Sequence, residues 1–395
     1  MPEPAHERVP ASGREPYKRS FAQTICKKQP MLLTTLLTEI KQKNASDLHL
    51  RSMLPPVMRI DGNLCRGDHA PLSSEEIDAM AETILNDNLK KKFQQKYSID
   101  TAYSVPGVGR FRVNIFRQRG TTSLVFRNIP FDIPTIESLN LPQAIKNFCT
   151  KPQGLVIVTG PTGCGKSSTL AAMVQLINQT NSLHIVTIED PIEYLFKNEH
   201  SIISQREVGI DTPSFAHALK DALRQDPDVI LIGEMRDIET TSIAMNAAET
   251  GHLIFSTMHA NNTYEAVSRI IDIFPNDQQN QVKLQLASVL IGAISQRLIN
   301  RVDAVGRIPA VEILIATAAI KKMIAHNQYK EILEQIEKSV VHYGMQSLEQ
   351  SLLALLANKM INIDEALSAT LRQSEFDLMR EQLGIDELGG IRSAN

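Results

Sequence analysis

Eight consecutive residues, Gly160-Pro161-Thr162-Gly163-Cys164-Gly165-Lys166-Ser167, fit the pattern G-x-x-x-x-G-K-[ST], and Ser168 follows them directly. Such a loop binds nucleotide phosphates because its glycines let successive backbone N–H groups turn inward, while a helix N-terminus adds partial positive charge. Lys166 would reach the β and γ phosphates, and the hydroxyl of Ser167 would hold Mg2+. The competing reading is a Gly-rich turn that matches by accident. The flanks argue against it, since the apolar run Leu155 to Val158 precedes the loop and a stretch with Leu170, Val174 and Ile177 on one helical face follows.

Further segments end in groups suited to triphosphate chemistry. Glu189 closes the β-like run Val186-Thr187-Ile188, and Pro191 stops that run. In open α/β sheets the ligand crevice lies at the carboxyl ends of the strands, where an acid can orient and deprotonate the water attacking the γ-phosphate. Glu193, nearby, reads as a charge partner or surface residue. Val229-Ile230-Leu231-Ile232-Gly233-Glu234 likewise delivers a carboxylate at a strand end, and Glu234 is placed to act through the water shell of Mg2+, which takes only one or two carboxylates. Arg236 and Asp237 read as subunit-contact or switch residues. A final strand, Leu253 to Ser256, has His252 on one side and His259 on the other. His259 falls at the same carboxyl edge and could hydrogen-bond the γ-phosphate; His252, at the opposite end, could not reach it without a different register. In the first third of the chain Arg110, Arg112, Arg117, Arg119 and Arg127 crowd two strands. Alternation points Arg112 and Arg127 off the apolar face, either as a solvated strand face or as guanidinium groups for phosphate.

The elements that must position these groups follow from periodicity. Leu33, Leu36, Leu37 and Ile40 recur at helical spacing, two short extended runs follow, and Asp61-Gly62 reads as a hairpin turn. Ser73 with Glu76 forms a capping box opening a helix expected to run to about Lys92, before strands near 99–104, 110–117 and 122–128. This α+β unit ends near Ile129, and Pro130 and Pro134 bracket a connector. Beyond it, apolar strands alternate with helical stretches, as in a parallel sheet covered on both faces. Ala287, Leu290, Ile291, Ile294 and Leu298 fit one helical stripe, and Leu348, Leu352, Leu355 and Leu356 another, which predicts a helical C-terminal subdomain. The expected division is an arm at 1–30, an N-terminal domain at 31–129, a linker at 130–138, an α/β domain with C-terminal helices at 139–385, and a tail at 386–395.

With 395 residues, 43% of them hydrophobic, the chain can bury a core in two or three domains at roughly 150 residues each. Lys and Arg total 41 against 44 Asp and Glu, a net charge of −3, so the basic excess that drives phosphate-backbone binding is missing and nucleic acid is not an expected partner. No apolar run approaches the roughly 20 residues of a membrane span. Four cysteines without CxxC spacing suggest neither zinc site nor disulfide framework, and Cys164 could be a thiol-sensitive or a packed, inert group. The first 30 residues hold five prolines, six basic and three acidic side chains and lack a signal-peptide core.

The ordered set 160–167, 186–193, 223–237 and 250–259 resembles the Walker A, Asp box, Walker B and His box of the secretion ATPases of type II and type IV pilus systems. Ala45-Ser46-Asp47-Leu48-His49-Leu50 and Pro55-Pro56-Val57-Met58-Arg59-Ile60-Asp61-Gly62 resemble the family's PAS-like N-terminal domain. The resemblance implies an α/β protein: a PAS-like α+β domain followed by a RecA-like P-loop ATPase domain with C-terminal helices, forming a ring-shaped homohexamer with ATP and Mg2+ between the domains. It implies Glu189 as catalytic glutamate, Glu234 as Walker B acid, His252 and His259 as the His-box pair, and Arg112 and Arg127 as arginines completing the site. The short N-terminal domain and Tyr343-Gly344-Met345-Gln346-Ser347-Leu348 are similar to the pilus retraction ATPases (PilT/PilU-like). That implies a cytoplasmic motor, peripheral at the inner membrane, working on a polytopic platform protein and with a paralogous retraction ATPase. Where PilT-like chains read A-I-R-N-L-I-R-E, this one reads Ala319-Ile320-Lys321-Lys322-Met323-Ile324-Ala325-His326, leaving main motor and accessory paralogue both open. The alternatives are an assembly or type II secretion ATPase driving extension, a RecA-type nucleic-acid translocase, and a regulatory ring subunit.

Overall fold

A computed structural model describes residues 32–386 except Asp61, Pro130 and Phe131; the arm at 1–30, the tail beyond Asp386 and half of the expected Asp61-Gly62 turn lie outside the described residues. The chain divides into two compact units after Ile129. In the first, α1 (32–42) precedes β1 (Asp47–Arg51), β2 (Val57–Ile60) and β3 (Asn63–Arg66), then α2 (Ser74–Ile84), α3 (Asp87–Lys96), β4 (Ser98–Val105), β5 (Gly109–Gln118) and β6 (Thr121–Ile129). The strands form one antiparallel sheet in the order β3-β2-β1-β6-β5-β4. Its apolar face, with Leu48, Leu50, Phe111, Val113 and Phe126, packs on Leu36, Leu37 and Ile40 of α1 and Ile77 of α2. The Ser73–Glu76 capping box is present. The helix expected to run to Lys92 is instead two helices, because Asn86 accepts from Leu89 N and starts α3 afresh.

In the second unit α4 (Lys146–Cys149), β7 (Gly154–Thr159), α5 (Lys166–Thr180), β8 (His184–Glu189), β9 (Ile202–Glu207), α6 (Phe215–Ala222), β10 (Val229–Ile232), α7 (Ile238–Glu249), β11 (Leu253–Met258), α8 (Thr263–Asp272) and α9 (Gln279–Val289) lead to β12 (Leu290–Asn300) and β13 (Arg307–Ile315). The sheet order is β13-β12-β7-β11-β10-β8-β9. All neighbours are parallel except the β12–β13 pair, so the sheet is mixed at one edge rather than wholly parallel. Both faces are buried, with α6, α7 and α8 covering one and α4 and α5 the other, which is why β7 and β10 are built around the apolar runs Leu155 to Val158 and Val229 to Ile232.

The stripe read as helical from Ala287 to Leu298 is corrected here: the helix ends at Val289 and Leu290 onward is strand β12. A fully buried strand also places apolar residues at i, i+3 and i+4, and pairing with β7 and β13 decides between the two periods. The C-terminal helices therefore begin only at α10 (Ala318–Ala325) and continue through α11 (Tyr329–Lys338), α12 (Val340–Tyr343), α13 (Leu348–Ala357), α14 (Ile363–Ala369) and α15 (Gln373–Gln382). Leu348, Leu352 and Leu356 are buried against Ile308, Ala310 and Phe376. Among the described residues no helix is long and apolar enough to cross a membrane.

Candidate nucleotide-binding and hydrolysis site

The loop 160–165 joins the end of β7 to the start of α5. Its shape depends on glycine: at Gly160 (φ +139°) a Cβ would lie 2.4 Å from Gln296 O and 2.7 Å from Cys164 Sγ, and Gly165 caps the helix at φ +92°. Lys166 Nζ donates to Gly160 O (2.8 Å) and Pro161 O (3.1 Å), and burial lowers its pKa. Ser168 Oγ lies 2.7 Å from the Tyr194 hydroxyl. Cys164 is buried and burial raises its thiol pKa, which favours the inert alternative.

A cavity of about 480 Å3 opens beside this loop. Thr162, Gly163, Gly165, Lys166, Ser167 and Ser168 line it together with Glu189, Glu234 and His259. The reason is topological. β7, β8, β10 and β11 are parallel and in register, so their carboxyl ends bring these groups to one edge. Glu189 Oε1 accepts from Thr187 Oγ1 (2.7 Å) and Gln205 Nε2 (3.2 Å), and Oε2 from Glu193 N (3.3 Å). Burial raises its pKa despite these donors, suiting it to accept a proton nearer neutrality. Glu234 is also raised by burial and pairs with Arg236 at 2.7 Å. His259 is lowered by burial and by the charges of Lys166, Arg236 and Arg269, and a neutral imidazole can both donate and accept. Thr159 Oγ1 donates to Met258 O and Ala260 O, tying the end of β7 to the His259 turn.

Other expected residues fall elsewhere. His252 immediately precedes β11 at the opposite edge, with Nδ1 2.9 Å from Ala247 O at the end of α7, and the cavity wall does not include it. Asp237, read as a subunit-contact or switch residue, caps α7 by accepting from Thr240 N at 2.7 Å. Arg112 and Arg127 belong to the first unit. Arg127 Nε donates to Asp47 Oδ1 at 2.9 Å, and Arg112 Nε lies 3.8 Å from Asp100 Oδ1.

Gln296 escaped the sequence reading. β12 pairs with β7 as far as Ser295 opposite Thr159 and then continues past it, so Gln296 lies beside the phosphate loop. Its side chain is buried, Nε2 donating to Cys164 O (2.6 Å) and Oε1 accepting from Thr169 Oγ1 (2.8 Å). Gln296→Leu strips partners from a buried carbonyl and hydroxyl, each costing about 1–3 kcal/mol. The expected result is a lower melting temperature and roughly tenfold weaker nucleotide binding, read by thermal melting and titration with a fluorescent nucleotide.

A type II/IV secretion system protein family model matches residues 26–336. The chain belongs to that family. It is 42% identical over 336 residues to the type IV pilus retraction ATPase PilT of Pseudomonas aeruginosa, covering 85% of this chain and 97% of that one. Against the type IV pilus ATPase PilU of the same organism it is 39% identical over 344 residues, with 87% and 90% covered. A crystal structure of the pilus retraction motor PilT with bound ADP superposes with a TM-score of 0.80 at 42% identity, over 87% of this chain and 99% of that one. The second unit thus has the α/β fold of a RecA-like P-loop ATPase domain with a helical subdomain.

Proposed function

We propose that this protein is an ATPase that powers retraction of a type IV pilus. The observation carrying the proposal is the 42% identity to PilT across nearly the whole of that relative. In this reading the chain acts as a homohexamer on the cytoplasmic side of the inner membrane, on a polytopic platform protein, alongside a paralogous ATPase. The similarity to both PilT and PilU supports the last point. The antiparallel sheet, with two helices inserted between β3 and β4, supports a PAS-like first domain, and the exposure of Arg112 and Arg127 supports them as its phosphate-binding charges.

The hydrolysis reading assigns the loop and Lys166 to the phosphates, Glu189 to the attacking water and His259 to the γ-phosphate. Ser167 and Glu234 line the same cavity and are hard oxygen donors, which fits Mg2+ held by few protein groups. When bound, the ion would neutralise charge on the β and γ phosphates. Glu189 takes a proton from water, the water oxygen bonds to the γ-phosphorus, and the bond from that phosphorus to the β–γ bridging oxygen breaks to leave ADP. The cellular test is a Lys166→Ala strain: hyperpiliated, non-twitching cells support retraction, whereas bald cells would assign the engine to assembly.

A further inference from the structure

We propose that Thr187 and Gln205 are positioning residues for Glu189, anchoring its Oε1 so that Oε2 is the atom that takes the proton from the attacking water. The proposal rests on the reading of Glu189 as the base.

Thr187 lies two residues before Glu189 on β8, so both side chains rise from the same face of the sheet. It is fully buried, and its hydroxyl donates to Oε1 at 2.7 Å. Gln205 sits directly opposite Thr187 on edge strand β9. Its amide orientation is fixed by its neighbours: Oε1 accepts from Phe196 N (2.9 Å), while Nε2 donates to Tyr194 O (2.8 Å) and to Glu189 Oε1 (3.2 Å). Glu189 Oε1 therefore has two side-chain donors, and Oε2 has the long 3.3 Å approach of Glu193 N. Two donors on one oxygen fix the carboxylate plane and leave the second oxygen's lone pairs for water. The transfer breaks one water O–H bond and forms O–H on Oε2, and the resulting hydroxide oxygen bonds to the γ-phosphorus as ADP departs.

The same bonds favour the ionised carboxylate, opposing the upward push of burial. Other charges face the cavity from every neighbouring element: Asp190 and Glu193 after β8, Glu234 after β10, Lys166 on α5, His259 after β11 and Arg307 on β13. On β9, Glu207 is occupied by Ile192 N. None of these is altered by a change at Thr187 or Gln205, so the donors' effect can be isolated.

The experiment measures ATPase kinetics of the full chain against pH for Thr187→Val, Thr187→Ser, Gln205→Leu and Glu189→Gln, with melting temperatures. Valine matches threonine in shape, so Thr187→Val keeps the proposal testable even if Gln205→Leu, which also loses Tyr194 and Phe196, fails to fold. Thr187→Val is expected to lower kcat about tenfold while KM stays within about threefold, the loss of one hydrogen bond to a charged group. Losing a donor raises the pKa of the carboxylate, so the acid limb of kcat moves to higher pH. Thr187→Ser restores both. Wild-type kcat and acid limb in Thr187→Val, or a lower kcat with an unmoved limb and no rescue by serine, would overturn the positioning role. Normal turnover in Glu189→Gln would instead remove the base itself.

Discussion

Lys166→Ala is expected to lower ATP turnover by at least about 10²-fold, the loss found when one charge-stabilising group is taken from a transition state, and to weaken nucleotide binding. Two effects combine. The ammonium is the positive side chain of the phosphate loop, and it lies half-desolvated where burial already lowers its pKa, so its interaction with incoming phosphate is screened less than on a surface. Its bonds to Gly160 O and Pro161 O also brace the loop. Steady-state turnover together with nucleotide titration separates the two, and a melting curve checks folding. Wild-type turnover in this variant would show that phosphate is handled elsewhere.

Glu189→Gln is expected to keep nucleotide affinity and lose roughly 10²–10⁴ in kcat, the contribution of a general base. Glutamine fills the same space and its carbonyl can still accept from Thr187 Oγ1, so the local packing survives while the proton acceptor is gone. The pH dependence carries the sign of the burial. A carboxyl pKa raised above the ordinary glutamate value means that the wild-type rate is full above the raised pKa and falls as pH drops through it, because the protonated acid cannot accept. Glu189→Gln removes that acid limb. Near-normal kcat in the variant would take Glu189 out of the reaction.

Much of this site was legible in the chain because its parts are local. The candidate phosphate loop needs its glycines at fixed offsets, and Glu189, Glu234 and His259 each follow a largely apolar run of strand length. Parallel strands in register carry their ends to one edge, so contiguous patterns sufficed to gather the groups. Gln296 and Gln205 were not legible for the opposite reason. Each is a polar residue inside a strand whose meaning depends on a partner strand distant in sequence: Gln296 acts on a loop 132 positions away, and Gln205 acts across a strand pair whose second member, β9, carries no strong apolar run. Reading 287–298 as helix also hid Gln296, because a helical period does not carry it past the end of β7. Asp237 and His252 show local structural work that the sequence pattern did not reveal. Both sit beside conspicuous segments, and their hydrogen bonds, to Thr240 N and to the Ala247 carbonyl region, serve the two ends of α7.

The most direct test of the hydrolysis site is a crystal structure of the full chain with Mg2+ and a non-hydrolysable ATP analogue. The terminal phosphoryl group is expected within hydrogen-bond distance of Lys166 Nζ, with a water between it and Glu189 Oε2. An analogue seated away from residues 160–168, or a Glu189 carboxylate turned from the terminal phosphorus, would contradict the assignment.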